Sequence, residues 1–300
     1  MTVKNRARRT VYLLGLLVLV VGMLAGCGNS GDGGSAKKIN VVAAEDFYGE
    51  VAQAVGGSHV KVTSIINKPS MDPHDFEPTT AAARSVNEAK LVVYNGIGYD
   101  GWMTKLAKSG KHRTVVRVAE DVMGKKDGDN EHLWYNPKTM PKLANDLADK
   151  LGKIDKKNAA EYRKNAKKYI AKIQPIQDKV NKLKQNSDQK LVDVSEPVFD
   201  YMLDALGYKV ANNHFELAVE QETDPSPKDI AAMQKDIKEK RIAFFVSNIQ
   251  EMSPTVKKMT NLAKQHHVPV IKVTETLPAN KDYKAWMLDQ LNQIEDAQNK

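Results

Sequence analysis

The sequence predicts an α/β protein of two lobes, each with a mostly parallel four-stranded sheet flanked by helices, joined by a long bridging helix. Three observations carry this. Short β-branched runs alternate with helical stretches, the pattern of βα units with parallel strands. The runs come as two sets of four. Between the sets, Lys156 to Asn186 contains no glycine, and its apolar residues recur at helical spacing.

The first 26 residues stand apart from this fold. Lys4, Arg6, Arg8 and Arg9 form a cationic head before an apolar run, Val11 to Leu24, of signal-peptide length and short for a bilayer span. The run ends in Leu24-Ala25-Gly26-Cys27, which resembles a bacterial lipobox. Cleavage before Cys27, the only cysteine, would leave a diacylated N-terminus, and two acyl chains hold a protein stably at a membrane. Residues 27–38, rich in Gly and Ser from Asn29 to Ala36, would form a flexible tether. A single thiol makes no intramolecular disulfide, so stability must come from packing.

Residues 39–155 are expected to form the N-terminal lobe, with strands at Ile39–Ala44, Val60–Ile66, Leu91–Asn95 and Thr114–Val118. Pro137 opens a helix that should run to about Lys150. The bridge, 156–187, would be long enough to cross both lobes at 1.5 Å per residue, and Pro175 should kink or split it. Residues 188–300 form the C-terminal lobe, with strands at Leu191–Val194, Tyr208–Ala211, Ile242–Val246 and Val268–Val273. Within it, Ser226-Pro227-Lys228-Asp229 reads as a helix start with Ser as N-cap.

The formal charge of +8 falls to about +4 once the cationic head is removed. The remaining lysines are interspersed with acids, as in Lys156 to Lys172, which describes a solvated helix face and sets nucleic acid aside as a partner.

Of seven histidines, His59, His112, His266 and His267 read as solvated loop residues. His74 lies in a loop stiffened by Pro73 and Pro78, past the second strand, and Thr79 or Thr80 can cap the helix that follows. His132 follows the fourth strand through a polar loop. Glu196 directly follows Leu191–Val194, and Glu275 directly follows Val268–Val273. Two imidazoles and two carboxylates thus lie beyond strand ends, two from each lobe, where open α/β sheets bind ligands. Either carboxylate alone could instead be an acid favoured by a helix dipole.

Asp72-Pro73-His74-Asp75-Phe76-Glu77-Pro78-Thr79 resembles the first motif of the metal-binding solute-binding lipoproteins of ABC transporters, the zinc/manganese cluster of ZnuA-, TroA- and PsaA-like proteins. Glu131 to Pro137 is similar to their Pro-His-x-Trp-x-x-Pro string, Ser195 to Tyr208 to their third motif, and Asp224-Pro225-Ser226-Pro227 to their Glu-Pro-Ser-Pro. Thr274-Glu275-Thr276-Leu277 falls at the fourth site. The resemblance implies four metal ligands, His74, His132, Glu196 and Glu275, and no catalytic residue. Many zinc members carry histidine where this chain has Glu196, aspartate is frequent where it has Glu275, and a histidine-rich insertion is missing from Glu120–Glu131. His214, in Asn212-Asn213-His214-Phe215, is a possible substitute ligand, although it matches no ligand motif of the family.

The resemblance implies capture of one divalent transition-metal ion, Mn²⁺ or Zn²⁺, without an organic cofactor, by an extracytoplasmic monomer anchored to the membrane through Cys27. The ion would pass to the ABC permease of the same importer. Imidazole and carboxylate donors suit Mn²⁺ by hardness, while the Irving–Williams order favours Zn²⁺. A metal-stabilised surface adhesin is one alternative. A metal-dependent hydrolase is another, although the chain has no His-Glu-x-x-His string.

Overall fold

Chain order sets strand order in the same way twice. The computed structural model describes residues 38–71, 73–74, 76–109 and 113–299. The signal peptide, Cys27, nearly all of the tether and His112 lie outside the described residues. In the first lobe β1 (Ile39–Glu45), β2 (Val60–Ile66), β3 (Leu91–Tyr94) and β4 (Thr114–Arg117) pair in parallel in the order β2-β1-β3-β4. The helices α1 (Asp46–Gly56), α2 (Thr80–Glu88) and α3 (Gly101–Lys108) follow the first three strands, and α4 (Thr139–Ile154) comes after the fourth. The bridge is α5 (Ala159–Lys184), entered through one 3₁₀ turn at Lys156–Asn158.

The second lobe repeats the order. Here β5 (Leu191–Val194), α6 (Asp200–Leu206), β6 (Lys209–Val210), α7 (Asn213–Glu220), α8 (Pro227–Lys238), β7 (Phe245–Asn248), α9 (Pro254–Gln265) and β8 (Val270–Val273) build the parallel sheet β6-β5-β7-β8, and α10 (Tyr283–Gln298) closes the chain. The direction in which the chain adds strands across each sheet reverses between β1 and β3 and between β5 and β7. The crevices at such switch points are where parallel sheets leave room for a ligand.

All eight strands fall where the β-branched runs predict them, with one notable shift. The seventh, expected at Ile242–Val246, is Phe245–Asn248. Ser247 and Asn248 are polar yet buried, because each has a partner: Ser247 Oγ lies 3.4 Å from Thr260 Oγ1, and the Asn248 N–H donates to Ser195 Oγ at 2.9 Å. Thr79 caps α2 and Ser226 caps α8, accepting from the N–H groups of Ala82 and Asp229. Gly49 on α1 permits close approach to the sheet, since a Cβ there would meet Ser64 Oγ at 2.1 Å.

Pro175 does not split the bridge; α5 is helical from Ala159 to Lys184. The ring is exposed, and the Ala171 carbonyl that loses its helical donor is on the same solvated face. The buried stripe Tyr162, Ala166, Tyr169, Ile173, Ile176, Val180 and Leu183 runs along the opposite side and holds the helix against both lobes. Lys172 pairs with Glu50 of the first lobe at 3.2 Å and with Asp282 at 3.0 Å, while Lys179 and Lys182 pair with Glu295 of α10. Because proline costs about 3 kcal/mol relative to alanine inside a helix, partly offset by its stiffening of the unfolded chain, Pro175→Ala is expected to raise stability by about 1–2 kcal/mol. A higher urea midpoint at unchanged m-value would register this.

The largest core cluster is continuous across the lobes. Phe47 of α1 stacks on Trp134 at 5.0 Å and lies 5.9 Å from Trp286 of α10, and Tyr135 meets both Phe199 and Trp286. Residues 38–300 accordingly group as one compact unit. A shared aromatic core and a helical bridge oppose wide hinge opening. Among the described residues no helix is long and apolar enough to cross a membrane.

Candidate metal centre

The loops beyond the strands converge on a cavity of about 350 Å³, whose walls include His74, Glu196, Glu220, Glu275, Asn248 and Gln250. His74 arrives on the loop between β2 and α2. Its Nε2 lies 3.4 Å from Glu275 Oε1 and 3.5 Å from Glu131 Oε1. The Tyr99 ring packs edge-on against the His74 ring at 5.0 Å and stacks on Trp134.

His132 is buried, 1% exposed, at the foot of the polar loop after β4. Asn130 fixes its tautomer. Asn130 Oδ1 accepts from the His132 backbone N–H at 2.9 Å, so it is the oxygen of the amide that faces the ring. His132 Nδ1, 3.0 Å from that same oxygen, must therefore carry the ring proton. Nε2 is left with its lone pair and, among the described residues, has no hydrogen-bond partner; it lies 3.8 Å from Glu220 Oε1. Asn130 is itself held from the second lobe: its Nδ2 donates to Pro197 O at 2.8 Å, and Tyr201 Oη donates to its carbonyl at 2.8 Å. Orienting partners of this kind typically govern metal affinity by about 10–100-fold. Asn130→Ala is therefore expected to weaken metal binding by about tenfold or more with little change in melting temperature, which titration and thermal unfolding of one sample would check.

Glu196 stands in extended backbone directly after β5, and its Oε1 accepts from Asn248 Nδ2. Glu275 is placed by Gln250, whose Oε1 accepts from the N–H groups of Glu275 (2.6 Å) and Thr276 (3.1 Å). Gln250 Nε2 in turn donates to Pro69 O at 2.7 Å, on the loop that carries His74. One glutamine thus spans the two lobes.

Burial and mutual charge set the protonation of these groups. Burial pulls His74 down, but the Glu275 carboxylate beside it, with Glu131 and Glu220, outweighs this and raises it to about 9. Burial lowers His132 to about 4, so its ring is neutral. Burial raises Glu196 to about 8, with Glu275, Glu220 and Glu251 adding repulsion, and raises Glu220 to about 8 and Glu131 to about 7. Glu275 is lowered: burial opposes its charge, but His74 and His132 more than compensate.

Of the four residues singled out in the sequence, His74 and Glu275 are in direct contact, Glu196 shares their cavity wall, and His132 sits behind Glu220. The tightest group of donors is a different one. Among the described residues, the donor atoms that all lie within 4.8 Å of one another belong to His74, Glu131 and Glu220. Sequence reasoning passed over both acids. For Glu131 a signal existed, since it stands where the family motif has proline; Glu220 carried none. His214 does not line the cavity; it is exposed on α7, with Nδ1 3.8 Å from Asp229. His59, read as a solvated residue, instead pairs with Glu161 at the start of the bridge at 2.9 Å.

The chain matches the family described as zinc-uptake complex component A, periplasmic, over residues 41–297. It is 26% identical over 283 residues to the metal ABC transporter substrate-binding lipoprotein FimA of Streptococcus parasanguinis, covering 88% of each chain. It is 28% identical over 273 residues to the manganese ABC transporter substrate-binding lipoprotein PsaA of Streptococcus mitis, covering 84% of this chain and 86% of that one. Among solved structures, the Mn-bound periplasmic metal-binding protein of Candidatus Liberibacter asiaticus superposes with a TM-score of 0.71 at 19% identity, over 87% of this chain and all of that one. The periplasmic zinc-binding protein TroA of Treponema pallidum gives 0.70 at 16% identity, over 87% and 99%. These likenesses fix the two-lobed fold, and the match across nearly the whole folded region means that the chain belongs to the zinc-uptake component A family.

Proposed function

We propose that the chain is the extracytoplasmic substrate-binding component of an ABC importer, capturing one divalent transition-metal ion, Mn²⁺ or Zn²⁺, between its lobes for delivery to the permease. The proposed ligands are His74, His132, Glu196 and Glu275. The observation that carries the reading is His132: a buried neutral imidazole, its proton committed to Asn130, presents toward a carboxylate-lined cavity an Nε2 that has no partner among the described residues. Leaving such an atom unsatisfied costs about 1–3 kcal/mol, which an arriving cation would recover. Two imidazoles and two carboxylates would neutralise a divalent ion, lowering the cost of enclosing it. Nothing in the role asks for turnover, only for a shell that closes and reopens.

The relatives named as lipoproteins support the reading of residues 1–26 as a signal peptide, Cys27 as the lipidated residue, and 27–38 as the tether to the membrane. On this reading 39–155 and 188–300 are the lobes that grip the ion, and 156–187 joins them. Competitive titration of Mn²⁺ against Zn²⁺ on metal-stripped protein tests the function and should give one ion per chain with both metals. Absence of binding by either metal would reject the proposal. Mass spectrometry of the mature N-terminus tests the anchor.

A further inference from the structure

We infer that Glu131 and Glu220, together with His74, form an outer cation position in the same cleft, where a still-hydrated divalent ion is held before it reaches the four inner donors. The inference rests on the proposed metal capture and adds a step to it.

The donors are graded in depth. The side chains of His74, Glu220 and Glu131 are 40%, 20% and 18% exposed, Glu275 follows at 15%, and His132 lies deepest at 1%. The three outer donors already lie within 4.8 Å of one another, close enough to share an ion. His74 Nε2 is nearly equidistant from Glu131 Oε1 and Glu275 Oε1, at 3.5 and 3.4 Å. The same nitrogen can therefore serve either position, and one ion can pass inward without leaving it.

The setting of the two acids calls for a cation. Glu220 is the last residue of α7, at the negative end of the helix dipole, where a carboxylate is disfavoured. Glu196, Glu220, Glu222, Glu251 and Glu275 all line the cavity, and among the described residues that line it there is no lysine or arginine. In a chain of net charge +8 this concentration of one sign stands out. A cleft of one sign raises local counter-ion concentration and association rates by about 10–10³-fold. Behind the acids, 3.8 Å from Glu220, the buried Nε2 of His132, without a partner among the described residues, marks where the ion goes next. Carboxylates suit the outer role because hard cations shed water reluctantly and bind oxygen while still partly hydrated.

The test uses Mn²⁺ with the metal-stripped full chain, by stopped-flow association and by equilibrium binding followed through the electron paramagnetic resonance of free Mn²⁺. Glu131→Gln/Glu220→Gln should lower the association rate by about tenfold or more while still taking up one ion per chain. In a His132→Ala/Glu196→Gln background, weak binding of one Mn²⁺ should persist at the outer position and disappear when the two glutamines are added. An unchanged association rate in Glu131→Gln/Glu220→Gln would overturn the inference. So would a His132→Ala/Glu196→Gln variant, folded by its melting curve, that binds no Mn²⁺ or binds it indifferently to the two acids; the acids would then act by general steering alone. Failure of the unaltered chain to bind Mn²⁺ or Zn²⁺ would be distinct, since it would remove the metal-capture reading itself.

Discussion

Replacing His132 by alanine is expected to lower affinity for Mn²⁺ or Zn²⁺ by about two to three orders of magnitude. Apparent binding free energies of structural zinc sites run to about 10–16 kcal/mol across four donors. One donor is then worth about 2.5–4 kcal/mol, and each 1.4 kcal/mol is a factor of ten. His132 should sit at the top of that range because its cost of organisation is already met in the fold: the ring is buried, neutral and held in one tautomer by Asn130. His74 falls below that range. Its ring is half-exposed and carries a proton at neutral pH that the ion must displace, so His74→Ala should cost about tenfold. Isothermal titration of both variants against the parent protein checks the ranking. Equal losses, or a His132→Ala protein that binds as tightly as the parent, would show that Nε2 is not a ligand. The cavity left by the ring will also cost stability, so melting curves should accompany the titrations.

The backbone was far more legible than the site. Eight β-branched runs and one glycine-free amphipathic stretch are consequences of burial, and burial leaves its period in the residues themselves. Glu196 and Glu275 could be singled out because each stands just past a strand end, at the mouth of the sheet, whereas His74 and His132 were singled out by the proline-bearing loops that hold them. What was hidden depends on partners remote in sequence. Asn130 looks like any loop asparagine until its oxygen is found against His132 Nδ1. Ser247 and Asn248 read as the end of a strand because they are polar, yet they continue it, since Ser195 and Thr260 satisfy them. Glu220 has an ordinary place on an ordinary helix, and only the fold brings it beside a histidine 88 positions earlier. Pro175 misled in the other direction: a breaker inside a helix matters less when ring and freed carbonyl both face water.

The second large effect concerns pH, and it should change sign when metal is added. In the metal-free protein most of the buried acids are raised. Desolvation first, then repulsion among themselves, holds Glu196 and Glu220 at about 8 and Glu131 at about 7, with Asp193, Asp200 and Glu216 shifted the same way. A group raised in the folded state contributes stability that is complete below its unfolded value and is lost as pH climbs through the folded one. For these carboxyls the window runs from about pH 4.5 to 8, and His74, raised to about 9, extends it upward. His132 and Glu275 are lowered and act oppositely, but their loss comes in acid: His132 gives way as pH falls from its ordinary 6.5 through about 4. The metal-free protein should therefore melt several degrees lower at pH 8 than at pH 5.5. A bound ion reverses this, because it needs the same groups deprotonated, and each proton that leaves His74 or Glu196 no longer competes with it. At a hundredfold excess over Kd the ion adds about 2.7 kcal/mol, worth roughly 5–10 °C in a chain of this size. That increment should be largest at pH 8 and shrink steeply toward pH 5.5, with protons released on binding at neutral pH. Scanning calorimetry with and without Mn²⁺ at the two pH values measures both slopes. A metal-free protein that is more stable at pH 8, or a metal increment indifferent to pH, would mean that the carboxyls in this cleft are not held protonated by one another and by burial.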